Sequence, residues 1–396
     1  MKRRPLTARG WGCLLVGILL AVAANVVGAR PLLYLGVLLI LLPLVSLLVT
    51  YLPRRRGEVA RQISTDLLAV GETSRVSMRF DLYAVGIPQG SWRDTLPDAV
   101  RGDASGEYPT DSPLLRYDLE GVRRGISTLG PLVLRTVDPF GLAQREQEFG
   151  ETRTITVVPQ VVPLPPLPTK VGAAGGTAQT RSSRLGQGSD NLIPRPYTSG
   201  DSRRRIHWRA TAHRGDLMVR QEEEEASPDA VVVLDRAAGR WARPTDEPDP
   251  AFETAVSLCA SAALRFVQDG YSVDVLDSTG AVLGALRGHE DDRDGLMVAL
   301  ATVGPRGEPR DLRTLVGSTP PGPLVVITGR IDESDAARLS TAGAAAPMLF
   351  AAGAEPGALQ AAAAHGWNVA PLTDAGAAGL EAAWSDALPV AKAPHV

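Results

Sequence analysis

Cysteine and lysine are both scarce in this chain of 396 residues. Cys13 lies in an apolar run and Cys259 in a helical pattern, and they are the only two cysteines. That excludes a disulfide framework and a multi-cysteine metal centre, and it fits a reducing compartment. Of 41 basic residues only Lys2, Lys170 and Lys392 are lysine, and none follows a glycine, so there is no G-x-x-x-x-G-K-[ST] phosphate loop. Neither a G-x-S-x-G elbow nor an H-E-x-x-H pair occurs, and neither cysteine sits in a nucleophile motif, which leaves catalysis without a recognisable centre. The formal net charge of -3 conceals an uneven distribution. Residues 1–225 hold 29 Lys+Arg against 22 Asp+Glu, whereas 226–396 hold 12 against 22. The two halves are therefore different physical objects.

Long apolar runs are present, and they lie at the start. From Trp11 to Gly28 the sequence is apolar apart from Asn25, and from Pro31 to Leu52 it is apolar apart from Tyr34, Ser46, Thr50 and Tyr51. As helices these runs reach about 27 and 33 Å, matching a hydrocarbon core of about 30 Å. Arg30-Pro31 leads straight into the second run, so a two-helix hairpin over residues 1–57 is expected rather than a cleaved leader. Lys2, Arg3, Arg4 and Arg9 precede the first helix and Arg54, Arg55, Arg56 and Arg61 follow the second, while the connection carries Arg30 alone. The positive-inside rule then predicts a two-pass plasma-membrane protein with both termini in the cytoplasm.

Residues 58–160 read as an antiparallel, sandwich-like β domain. The segment 76–82 alternates strictly, and Leu132–Val137 and Arg153–Val158 are further strands between Gly, Pro and Asp turns. Asp138-Pro139-Phe140-Gly141-Leu142 is a turn with an aromatic plug, and Phe140 is a candidate binding residue. The segment 161–194 is rich in Pro, Gly, Ala, Ser and Thr and is expected to be a linker or mobile loop.

Residues 195–225 concentrate arginine: Arg195, Arg203, Arg204, Arg205, Arg209, Arg214 and Arg220, with His207, His213, Trp208 and Tyr197 interleaved. Three readings compete. A nucleic-acid surface would use arginine on phosphate and Trp208 for stacking, but Glu222, Glu223, Glu224 and Glu225 follow at once and would repel a phosphate backbone. In a structural hairpin, residues 217–219 form a strand after a Gly215-Asp216 turn and the arginines pair with those glutamates. In the third, Gly200, Asp201, Arg203, Ile206, His207, Trp208, Arg209, Arg214 and Gly215 form a surface for an acidic partner, or a binding module or enzyme site for a phosphate or carboxylate ligand through Arg203, His207 and Arg209.

The run Gly200-Asp201-Ser202-Arg203-Arg204-Arg205-Ile206-His207-Trp208-Arg209-Ala210-Thr211-Ala212, followed by Arg214-Gly215-Asp216-Leu217-Met218-Val219-Arg220, resembles the signature of bacterial membrane proteins called domain of unknown function 58. That signature usually has arginine where His213 stands. The resemblance implies a membrane-anchored interaction or scaffold protein without catalysis. It also implies a MoxR-type AAA+ ATPase as partner, transglutaminase-like membrane proteins as company, and a role in the assembly or maturation of a membrane or envelope complex. No nucleic-acid partner is expected.

Residues 226–396 alternate strand and helix. Ala230–Leu234 is a buried parallel strand ending at Asp235, and Phe252, Val256, Cys259, Ala263 and Phe266 mark one face of a helix. Strands then fall at 271–276, 281–286, 323–328, 348–350 and 367–369, with helices at 295–303, 333–340 and 359–364, which predicts a doubly wound, mostly parallel sheet. The arrangement resembles the von Willebrand factor A fold, which often binds Mg²⁺ through Asp-x-Ser-x-Ser after its first strand. Here Asp235, Ala237 and Gly239 occupy those places, so the site is degenerate, no cofactor is expected, and Asp235 is left to cap a helix or pair with an arginine. Thr328, Gly329 and Asp332 are placed near the same crevice, with a helix N-cap as the ordinary role for Asp332. His289-Glu290-Asp291-Asp292 reads as a solvated acidic loop.

Overall fold

The computed structural model describes residues 5–51, 59–80, 89–107, 114–168, 192–196, 206, 208–222, 228–241, 248–308, 322–339, 344, 346–373 and 376–389. Helices α1 (Ala8–Val27) and α2 (Arg30–Tyr51) form an antiparallel hairpin long and apolar enough to cross a membrane. Thr7 caps α1 by accepting from the Gly10 amide, and Gly28 (φ +74°) ends it in the left-handed region. The helices touch through small residues. A Cβ on Gly17 would come within 2.9 Å of the Gly36 carbonyl, and one on Gly36 within 2.9 Å of the Ala21 amide.

The β unit follows, with β1 (Val59–Ile63), β2 (Leu67–Ala69), β3 (Thr73–Phe80), β4 (Gln89–Asp94), β5 (Val100–Gly102), β6 (Ser105–Glu107), β7 (Leu114–Gly121), β8 (Gly125–Leu129), β9 (Leu132–Val137), β10 (Gln144–Phe149) and β11 (Arg153–Val158). They make sheets in the orders β1-β3-β7-β5, β10-β9-β4-β6 and β2-β11-β8, antiparallel throughout except for the β2–β11 pair. Alternation places Val76, Met78, Leu115, Tyr117 and Leu119 inward on a core shared with Trp92, Leu129, Leu132 and Ile155. One buried ionic network crosses it. Arg61 Nη2 meets Asp94 Oδ1 at 2.7 Å, and the Tyr117 hydroxyl donates to the other carboxylate oxygen of Asp94. Burial, then the Asp94 carboxylate, raise the Tyr117 pKa well above its ordinary value, so the phenol stays a donor. Arg61, counted above among the cations flanking the membrane, is therefore a core residue that also donates to the carbonyls of Leu129 and Glu151.

A small unit comes next: β12 (Leu192–Pro196), α3 (Trp208–Arg214) and β13 (Met218–Glu222), with β12 and β13 antiparallel. The last unit is a six-stranded sheet of β14 (Asp229–Leu234), β15 (Ser272–Asp277), β16 (Val282–Leu286), β17 (Pro323–Ile331), β18 (Ala346–Ala354) and β19 (Asn368–Pro371), in the order β16-β15-β14-β17-β18-β19. All pairs are parallel except β15–β16. Helices α4 (Pro250–Gln268), α5 (Asp292–Thr302), α6 (Glu333–Arg338), α7 (Ala358–Ala364) and α8 (Gly376–Asp386) cover both faces. Val232, Leu234, Val325, Ile327 and Phe350 pack with α4, α5 and α8, while Val231, Val233, Leu324, Val326 and Leu349 pack with α6 and α7. Near-continuous apolar strands follow from that two-sided burial.

Residues 161–168, expected to be free linker, instead lie as a strap on α4 and α8. Val162 and Leu164 are buried, Val162 donates its amide to Ser261 Oγ (2.9 Å), and Trp384 Nε1 donates to the Pro165 carbonyl (2.9 Å). Proline-rich sequence can cover a core when side chains from its neighbours satisfy the exposed backbone groups. The rest of the expected linker, 169–191, lies outside the described residues.

Candidate functional site

Charged side chains gather in two places, the Arg/His-rich segment and the crevice at the carboxyl ends of the parallel strands. In the first, Gly200, Asp201, Arg203 and His207 lie outside the described residues. Ile206 forms an isolated antiparallel bridge with Val219. Trp208 opens α3 and is 69% exposed, Arg209 follows on the same helix, and Arg214 ends it, also exposed. Ala210 and Ala212 favour that short helix, and His213 and Arg214 suit the negative end of its dipole. Gly215 (φ +80°) stops it, donating its amide to the Thr211 carbonyl (2.9 Å). Thr211 Oγ1 accepts from the Met218 amide (3.0 Å), locking helix to strand, and Met218 and Val219 are buried. The sequence signals the turn and a strand but not the helix, whose seven residues are too few to show a period.

The crevice is built on Asp235, which follows β14 and is 1% exposed. Its Oδ1 accepts from the Ala237 amide (3.0 Å) and its Oδ2 from the Thr328 hydroxyl (2.9 Å). Arg240, from the 3-10 turn Ala238–Arg240, brings Nε to 3.0 Å from the same Oδ2 as an ion pair, although not aligned as a hydrogen bond. Its Nη1 donates to the Arg330 carbonyl (2.9 Å) and to Asp335 Oδ2 (2.7 Å). A guanidinium thus sits between two carboxylates, those of Asp235 and Asp335. The donors do not fit Mg²⁺: positions 237 and 239 carry no hydroxyl, and the positive charge is already supplied. Gly329 permits this closure, because a Cβ there would strike the Arg240 carbonyl and approach the Trp241 ring. Thr328 lines the crevice as expected, and Asp332 caps α6 by accepting from the Asp335 amide (2.6 Å).

Beside it, after β15, Asp277 gathers cations. Its Oδ2 lies 3.4 Å from Arg236 Nη1 and 3.8 Å from Arg306 Nη2. Burial opposes ionisation of Asp277, but donors from the Thr279 hydroxyl, the Thr279 and Ala281 amides and Arg236 outweigh it and hold the carboxyl below its ordinary 3.8. Arg236 is lowered from its usual range by burial and then by neighbouring Arg306. Arg236, although adjacent to Asp235 in sequence, pairs with Asp277, while Asp235 is paired with Arg240. At the acidic loop, Asp292 Oδ2 accepts from the Arg287 amide (2.7 Å) and the His289 amide (3.0 Å), so this carboxylate is tied to backbone.

Residues 194–319 match the family model described as "Protein of unknown function DUF58". No curated protein matches the chain. Among solved structures, a cohesin module from a family 33 glycoside hydrolase of Clostridium perfringens is 11% identical, with 26% of this chain and 96% of that one covered and a TM-score of 0.17. The CARDB domain of a Pyrococcus furiosus protein, solved with di-metal ions, is 12% identical over 28% of this chain and 96% of that one, with a TM-score of 0.18. A conjugate transposon protein of Bacteroides vulgatus is 14% identical over 24% of this chain and 87% of that one, at 0.16. Likenesses this slight carry no argument about the whole molecule. Residues 194–319, which include the whole arginine-rich segment 195–225 and the strand leading to Asp235, are the part of the chain that is similar to the DUF58 family.

Proposed function

We propose that the chain is a membrane-anchored, non-catalytic interaction protein. The hairpin makes two passes of the plasma membrane with both termini cytoplasmic, and the α/β unit is a von Willebrand factor A-like domain whose cation position is held by Arg240. In this reading the Arg/Trp segment docks a partner, by resemblance a MoxR-type AAA+ ATPase, in the assembly or maturation of a membrane or envelope complex. Transglutaminase-like membrane proteins are further company. The observation that carries the reading is Trp208, 69% exposed at the head of a helix pinned to a buried strand, with Arg214 exposed at its foot. An exposed tryptophan on a rigid support with arginine nearby is the composition of an interface hot spot.

The test is affinity purification of the tagged full chain from native membranes, with mass spectrometry, beside two double variants: Trp208→Ala with Arg214→Ala, and Arg203→Ala with His207→Ala. Recovery of an AAA+ ATPase with the wild type but not with folded variants is expected. Recovery of none, with ATP and cross-linker present, overturns the docking reading. A second reading, binding of a phosphate or carboxylate ligand, draws support from the Arg236 and Arg306 guanidiniums crowded on one carboxylate, Asp277. A rise in melting temperature with inorganic phosphate, lost in Arg306→Ala, would favour it.

A further inference from the structure

The Asp138–Leu142 turn and the foot of the helical hairpin form one built structure. Thr7, the cap of α1, donates its hydroxyl to the Gly141 carbonyl (2.6 Å) and its amide to the Leu142 carbonyl (2.9 Å), and the Gln144 amide donates to the Pro5 carbonyl (2.9 Å). Gly10 lies so close that a Cβ there would run into the Leu142 carbonyl. At the end of the other helix, α2, the Arg145 guanidinium from β10 stands 5.2 Å over the Tyr51 ring and donates to the Thr50 carbonyl (3.4 Å). The turn itself is fixed by Asp138, whose carboxylate accepts from the amides of Phe140 (3.0 Å) and Ala143 (2.5 Å), and by Gly141 at φ +70°.

Asp138, Leu142 and Ala143 are buried in this joint, yet Pro139 and Phe140 project from its tip, Phe140 being 64% exposed. The tip stands beside the first turn of α1. Trp11, half exposed, is about one helical turn, ~5.4 Å, further along. Tyr51, also exposed, closes the same end of α2, and Arg9 and Arg145 lie among these rings. Aromatic rings and arginines gathered at one end of an apolar hairpin match the headgroup layer of a bilayer, where the ring faces meet acyl carbons and the guanidiniums meet phosphate. A soluble partner would leave unexplained why the exposed aromatics cluster at the depth where the apolar helices begin.

We infer that the Asp138–Leu142 turn is a membrane foot: Phe140 sits in the headgroup layer of the leaflet from which the hairpin enters, and Arg9 and Arg145 face anionic lipid. This rests on the reading of α1 and α2 as membrane spans. The β unit is then held at a fixed height and tilt by three points, the ends of two helices and the turn, rather than swinging on a chain.

The test uses the full chain carrying Cys13→Ser, since Cys259 is fully buried, in vesicles of phosphatidylcholine and phosphatidylserine. A fluorophore is attached in turn at Phe140→Cys, at Pro139→Cys as a second reporter of the tip, at Leu19→Cys in α1 and at Val282→Cys on the α/β unit. Each is read against lipids bearing a nitroxide at the headgroup or deep in the acyl chain. The Phe140 and Pro139 labels are expected to lose most of their fluorescence to the headgroup nitroxide, the Leu19 label to the deep one and the Val282 label to neither. Replacing phosphatidylserine by phosphatidylcholine should weaken quenching at the tip; no change would overturn the assignment of Arg9 and Arg145. If Leu19 is quenched while both tip labels behave like Val282, the foot is overturned and the spans stand. If Leu19 is not quenched, the spans themselves fail.

Discussion

Arg240 illustrates how a single side chain can decide what a crevice is able to bind. Replacing it by alanine leaves Asp235, 1% exposed, with the Thr328 hydroxyl and one amide but no counter-charge. The expected loss is about 3–5 kcal/mol, the scale of an uncompensated buried charge. Chemical denaturation of Arg240→Ala should show it, and a change below 1 kcal/mol would mean that the ion pair does not hold the crevice shut. Gly329→Ala should weaken the same place by steric means alone. Asp277 makes a prediction in pH. Its folded-state pKa is depressed, so its contribution to stability is full above the ordinary 3.8 and is lost as pH falls towards the folded value. Melting temperature should drop on acidification below that point, and Asp277→Asn should flatten that part of the profile; an unchanged profile would refute the assignment. The sequence left Asp235 either to cap a helix or to pair with an arginine, and the structure pairs it with Arg240. Pairing across a turn of five residues depends on backbone path, and the neighbour, Arg236, is turned away to Asp277. Arg61 misled for a related reason: its charge suggested headgroups, and only the fold reveals Asp94 waiting in the core.

Elements were legible where period and burial agree. The alternation at residues 76–80 lies in β3, with 81 and 82 outside the described residues, the runs at 230–234 and 323–328 are central parallel strands, and the spacing from Phe252 to Phe266 is the buried face of α4. Illegible elements are those whose burial comes from elsewhere. Helix α8 reads GAAGLEAAWSD, with Leu380 and Trp384 as its only large apolar residues, too few to mark a buried face by their pattern. The strap 161–168 is concealed in the same way, and the two meet: Trp384 donates to Pro165 and stacks on Phe350 with ring centroids 6.0 Å apart. Trp384→Ala should therefore cost about 3–5 kcal/mol and also release the strap. Faster proteolysis between residues 161 and 168 than in the wild type would check the second part; an unaltered cleavage rate would mean that the strap is held without Trp384, by its hydrogen bonds to Ser261, Arg265 and Asp269. In the hairpin, Gly17→Val places side-chain atoms where the Gly36 carbonyl already sits within 2.9 Å of a Cβ. Cross-linking between cysteines placed on α1 and α2 should fall accordingly; undiminished cross-linking would show that the helices can separate without cost.

At the scale of the whole molecule the question is how the β unit, which carries the helical hairpin, is joined to the α/β unit. Part of the answer lies in Arg124, in the β7–β8 turn of the β unit. Its Nε and Nη2 donate to the two Glu253 carboxylate oxygens on α4 (2.6 and 3.0 Å), and its Nη1 donates to the carbonyls of Leu300 (2.8 Å) and Val303. The guanidinium also stands 5.3 Å over the Phe252 ring. One side chain thus closes the last turn of α5, pairs with the first turn of α4 and is rooted in the other unit. A forked, charge-assisted contact of this kind resists rotation, which a point charge on lysine would not. Arg124→Lys should keep the charge and lose the fork, and Arg124→Ala should lose both and leave Glu253 without its partner. Calorimetry of the full chain in detergent is expected to show one cooperative transition for the wild type and two separated transitions for Arg124→Ala, with Arg124→Lys between them. If the alanine variant unfolds in a single transition shifted only in temperature, the units are coupled through their apolar contacts, where Leu67, Ala69 and Val158 reach the α/β core, and the arginine merely adds to a joint already made.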